Sequence, residues 1–169
     1  MYTRHRISSM MKKVPSSQGI YAMFENKSDK NSVYVGISTN LRNRIRQHMI
    51  RRDSSVTTKT SAVRLNPDYI EVIRWWVNDK FEDKIVLEAA ELAAFDVFNP
   101  VLRSKSSVSR KAEKLYQQEK FKSEIKSILL EKQSGELHFP DLSKVLGKID
   151  RLKMRVDRLE DKIEEGKNQ

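Results

Sequence analysis

Gly19-Ile20-Tyr21-Ala22-Met23-Phe24, then Ser32-Val33-Tyr34-Val35-Gly36-Ile37 across a polar stretch, then Leu41-Arg42-Asn43-Arg44-Ile45-Arg46-Gln47-His48-Met49: this order of residues decides the fold. The first two runs are rich in β-formers and turn-forming residues separate them, which predicts a hairpin. With the strands in register, Tyr21 and Tyr34 share a neighbourhood. After Gly36 the apolar period becomes helical (Leu41, Ile45, Met49), with Ser38 or Thr39 as N-cap. At about 100° per residue, Arg44, His48 and Arg51 lie along one edge of that stripe and Arg42 and Arg46 on the other.

Residues 69–77 predict a third strand, and their unbroken bulky character predicts burial on both faces. Residues 82–97 predict a central helix, apolar nearly all round, which Asn99-Pro100 ends. On it Glu88 projects between Leu92 and Phe95. A desolvated, unpaired carboxylate there costs several kcal/mol, so a metal ion, an arginine or a helix end must stabilise it. Glu91 is a second carboxylate one turn on. The fold class is α+β: a three-stranded sheet flanked by helices, followed by C-terminal helices.

Four segments follow: a basic N-terminal segment (1–14), the α+β domain (15–103), a basic, serine-rich linker and helix (104–133), and a heptad-patterned helix (141–166). The polar stretch 53–61 suits a loop that contacts substrate. Leu142, Val145, Ile149, Leu152, Val156, Leu159 and Ile163 alternate three and four apart, the a/d spacing of a short coiled coil. β-Branched residues at a and leucine at d favour a parallel pair, hence a homodimer through this helix. The alternative is an amphipathic helix folded back on its own body.

Lys and Arg number 33 against 23 Asp and Glu, a net charge of +10 over 169 residues, which favours a polyanionic partner such as duplex DNA. Arg42, Arg44, Arg46, Arg51 and Arg52, with no acid among them, supply phosphate contacts and salt-sensitive binding. The absence of cysteine excludes a disulfide scaffold, a Cys-ligated zinc site and a thiol nucleophile. No apolar run reaches membrane-spanning length, and the expected location is cytoplasmic, on nucleic acid.

Phosphodiester cleavage needs a positioned water, a group that holds charge building on phosphorus, and stabilisation of the departing oxygen. Arg44 offers a planar cation for the phosphate. Glu88 is an oxygen ligand for one Mg²⁺ or Mn²⁺ ion. Tyr34 or Tyr21 can orient or deprotonate the water, with His48, titrating near neutral pH, as the coupled base. Singly, each has a plainer reading: a strand tyrosine usually packs and a helical arginine is usually solvated.

Together, Tyr21, Tyr34, Arg44, Glu88 and Asn99, with His48, resemble the site of the GIY-YIG nuclease family in order and spacing, over roughly residues 18–103. The resemblance implies a small mixed sheet flanked by helices, dependence on a single Mg²⁺, and products with 5′-phosphate and 3′-hydroxyl ends. It implies a restriction-type or mobile-element endonuclease. The alternatives are a structure-specific repair nuclease and a non-catalytic nucleic-acid-binding or assembly protein on the same fold. Ile37 departs from repair members that carry lysine after the second motif, which implies either the histidine-bearing branch or a weaker activation of the tyrosine.

Overall fold

The structure is a computed structural model that describes residues 8–25, 32–52, 65–103, 108–131, 133–139, 149, 152–156 and 159. The chain divides into two compact units, Met1–Phe139 and Pro140–Gln169. In the first, β1 (Gly19–Phe24) and β2 (Tyr34–Ser38) form the expected hairpin pair, and β3 (Val72–Trp76) pairs antiparallel with the other edge of β1. The third strand is shorter than expected, because Pro67–Tyr69 forms a 3₁₀ turn capped by Asn66.

The sheet has four strands rather than three, in the order β2-β1-β3-β4, and its strand pairs are antiparallel rather than mixed. The parallel pairing among the described residues is one isolated bridge, Tyr34 to Leu102. The added strand, β4 (Gly135–His138), lies along β3. Gly135 permits this approach, since a Cβ there would sit 2.3 Å from the Trp75 ring.

Helix α1 (Leu41–Arg46) is capped by Asn40, not by Ser38 or Thr39: the Asn40 side chain accepts the Asn43 N–H at 2.9 Å. Helix α2 (Lys84–Phe98) starts at Asp83, whose carboxylate accepts the N–H groups of Ile85 and Val86. The single helix expected over 109–132 is two, α3 (Arg110–Tyr116) and α4 (Glu119–Leu130), interrupted at Gln117 and Gln118.

Strand alternation sorts the core into two faces. Tyr21, Met23, Tyr34, Ile73 and Trp75 pack against Leu41, Ile45 and Met49 on one side. Ile20, Ala22, Phe24, Val35, Val72 and Trp76 pack on the other against Leu87, Ala90, Ala93, Ala94 and Phe98 of α2, with Ile125 and Leu129 of α4 behind.

In the second unit, residues 149, 152–156 and 159 are helical, and Ile149, Leu152, Val156 and Leu159 are exposed. The remaining heptad positions Leu142, Val145 and Ile163, the loop 53–61 and the linker 104–107 lie outside the described residues. Among the described residues no helix is long and apolar enough to cross a membrane.

Candidate active site

The β1–β2 register sets Tyr21 opposite Gly36 and Tyr34 opposite Met23, so the tyrosines are diagonal neighbours on one face. Their ring centroids are 5.9 Å apart. Gly36 makes room for the pair: a Cβ there would lie 2.8 Å from the Tyr21 hydroxyl oxygen and 3.0 Å from Tyr34 Cε1. Gly36→Ala should therefore displace the Tyr21 hydroxyl. The expected result is a loss of about 10-fold or more in any reaction that uses the tyrosines, read as a single-turnover rate beside a thermal melt showing that the protein is folded.

His48 joins the pair through a local change of helix type. After Arg46 the α-helix widens into a π turn, Gln47–Arg51, and both His48 and Met49 are buried. Such turns recur at functional sites because they re-aim one side chain without ending the helix. His48 is fully enclosed, with its Nε2 in a 2.6 Å hydrogen bond with the Tyr21 hydroxyl and its ring centroid 5.3 Å from that of Tyr34.

Burial, reinforced by the charge of Arg44, pushes His48 down to about 3. The imidazole is therefore neutral at pH 7 and cannot store a proton there. This differs from a base titrating near neutrality, because an enclosed imidazolium loses hydration that the neighbouring cation makes harder to replace. Burial also pushes both phenols above their ordinary value. Their mutual hydrogen bond separates them: it lowers Tyr34 and raises Tyr21, the pattern of a Tyr21 hydroxyl donating to an ionised Tyr34.

Arg44 is half-buried and donates from Nη1 to Gln47 Oε1 at 3.3 Å. With Ser38, Asn43, Gln47, Lys84 and Glu88 it lines a cavity of about 470 Å³ beyond the end of β2. Glu88 is 15% exposed; its Oε2 accepts the Ser109 N–H at 3.1 Å, and its Oε1 lies 3.8 Å from Lys84 Nζ. The Ser109 hydroxyl and N–H, with help from Lys84, hold this carboxyl below its ordinary value. Glu91 is instead only 2% exposed, and its charge is felt at both tyrosines, opposing that of Arg44.

Among the described residues no group of three or more His, Asp or Glu side chains could cage a metal ion. One carboxylate opening on a polar cavity does fit a Mg²⁺ ion that keeps most of its waters and binds substrate phosphate.

The other expected site residues have different placements. Arg42 donates from Nε to Val14 O at 2.7 Å and from Nη2 to Lys12 O at 3.4 Å, tying the N-terminal segment to α1. Arg52, in the left-handed conformation at φ 58°, makes a two-pronged bond with Asp68 at 2.6 and 3.1 Å. Arg46 is half-buried and Arg51 exposed. Asn99 ends α2 in the left-handed region at φ 39° and is not among the residues lining the cavity. Asparagine tolerates that conformation better than most side chains.

The profile of the GIY-YIG catalytic domain matches residues 17–105. No curated protein and no solved structure matches the chain.

Proposed function

The chain belongs to the GIY-YIG family of nucleases, and from that premise we propose that it is a metal-dependent DNA endonuclease that leaves 5′-phosphate and 3′-hydroxyl ends. The observation that carries this reading is the double position of Arg44. It lines the polar cavity beside Glu88, and its charge reaches Tyr21, Tyr34 and His48. One cation thus links a place for a phosphate to two phenols and the neutral imidazole bonded to Tyr21.

Tyr34 orients the attacking water and accepts its proton in the fraction of molecules in which its own phenolic proton has first been lost to solvent. Burial pushes Tyr34 up overall, and the bond from Tyr21 and the charge of Arg44 partly offset this in favour of its ionised form. Tyr21 donates to the ionised form of Tyr34 before the proton is transferred, and neutral His48 supports Tyr21 from behind through the 2.6 Å bond. Arg44 holds the non-bridging phosphate oxygens, whose charge grows in the transition state. Glu88 is the protein ligand for a single Mg²⁺ or Mn²⁺, which when bound polarises the phosphate and neutralises the departing oxygen.

Duplex DNA is the proposed partner, consistent with the net charge of +10. Arg46 and Arg51 of the same arginine-rich segment contribute backbone contacts, with Arg42, Arg52 and Asn99 in supporting positions. The exposed Ile149, Leu152, Val156 and Leu159 support pairing of two copies through the C-terminal helix. A dimer brings two single-strand cutting sites to one duplex, as a restriction-type or mobile-element enzyme working in the cytoplasm requires.

Supercoiled plasmid incubated with the protein should be nicked or linearised in Mg²⁺ and untouched in EDTA. Salt-sensitive binding without cutting, on plasmid, branched DNA and RNA alike, would replace the enzyme by a binding module on the same fold.

A further inference from the structure

Glu88 is gripped from outside the family region. Ser109 lies beyond residue 105, where the match ends, yet both its N–H and its hydroxyl engage the Glu88 carboxylate. Lys84 makes a loose contact by comparison, with a side chain 86% exposed.

Ser109 itself is fixed. Its Oγ caps α3 by accepting the Ala112 N–H at 3.3 Å, and Ala112 is fully buried. At the far end of α3, the Tyr116 hydroxyl donates to Asp96 Oδ2 at 2.6 Å. Glu88 and Asp96 are about two turns apart on α2, as Ser109 and Tyr116 are along α3, so the helices run side by side in the same direction, clamped at both ends.

We propose that Ser109 is a positioning residue for Glu88: the segment beyond the family domain completes the site by aiming the carboxylate that receives the metal ion. This rests on the reading of Glu88 as the metal ligand. A free glutamate side chain loses rotamer freedom when it takes up an ion. One already held by Ser109 has little left to lose. Hydrogen bonds of this outer kind contribute about 10- to 100-fold to metal affinity where they have been removed.

The test uses the full chain and a graded series. Ser109→Ala removes the hydroxyl. Ser109→Pro removes the N–H as well, at a residue whose φ of −70° proline adopts without strain. Ser109→Thr keeps both donors, and Tyr116→Phe opens the other clamp without touching Glu88. Two readouts are needed: Mn²⁺ binding without DNA by titration calorimetry, and the Mg²⁺ concentration giving half-maximal plasmid nicking.

Ser109→Pro should weaken Mn²⁺ binding and raise the half-saturating Mg²⁺ by about 10-fold, with Ser109→Ala intermediate and the rate at saturating Mg²⁺ little changed. Ser109→Thr should stay within about two-fold of wild type. Tyr116→Phe should lower the melting temperature and leave the metal dependence alone. Unchanged or tighter metal binding in Ser109→Pro overturns the inference, as does an equal shift in Tyr116→Phe, which would reduce Ser109 to a helix cap. A wild type that neither binds Mn²⁺ nor cuts overturns the proposed function itself, whereas a cutting wild type beside an indifferent Ser109→Pro overturns this inference alone.

Discussion

Arg44→Ala is expected to slow plasmid nicking by about 10²- to 10³-fold at saturating Mg²⁺, the range found when a fixed transition-state donor is removed. Two losses combine. The phosphate loses its cation, and both phenols lose the nearby charge that favours their ionised form, so a smaller fraction of Tyr34 is in the form that can accept a proton. Arg44 donates to Gln47 one turn along, so the fold should survive with a melting temperature within a few degrees of wild type. Arg44→Lys should restore only part of the rate, because an ammonium keeps the charge but not the planar fork. Tyr34→Phe should lose a comparable factor while DNA binding, followed by fluorescence anisotropy, stays near wild type. An Arg44→Ala protein that cuts within ten-fold of wild type would remove Arg44 from the chemistry.

The largest expected effect on stability comes from acid and passes through His48. In the unfolded chain this imidazole titrates near 6.5; in the folded protein it is held at about 3. Between those limits the unfolded state binds a proton that the native state refuses, so the contribution is fully present above pH 6.5 and is lost as pH falls toward 3. The whole window is worth on the order of 5 kcal/mol, a large share of a small domain's stability. Urea unfolding should show wild type losing about 2 kcal/mol between pH 6.5 and 5. His48→Gln, which cannot titrate yet can still hydrogen-bond Tyr21, should show a much flatter curve there. Parallel curves for the two proteins would mean that His48 is more accessible to protons than its enclosure indicates.

The hairpin, the helix carrying Arg44 and the core helix carrying Glu88 are legible in the chain because their signals are local and dense: β-formers around a polar turn, then apolar residues at helical spacing. The meeting of Tyr21 with Tyr34 follows from strand register alone. The position of His48 does not, since a π turn arises from how one helical segment settles against the core and leaves no periodic trace. Its neutrality follows from that burial. Glu136-Leu137-His138-Phe139 alternates polar and apolar residues, a pattern at the lower limit of length for a strand, and it becomes one because β3 offers it an edge. The break at Gln117 and Gln118 is invisible to propensity, both being good helix residues. Ser109 reads as one serine in a serine-rich linker, and only the packing of α3 on α2 brings it to Glu88.

The return of the chain as β4 has a practical consequence for anyone shortening this protein to its family boundaries. A fragment ending at residue 105 lacks the strand that covers β3, and with it the Ile125 and Leu129 side chains that back the second face. Val72-Ile73-Arg74-Trp75-Trp76 would then be a bare, bulky edge with unpaired N–H and C=O groups, the template on which one molecule recruits strands from another. The minimal domain drawn from sequence similarity is thus an adhesive object, and the smallest well-behaved unit reaches to Phe139.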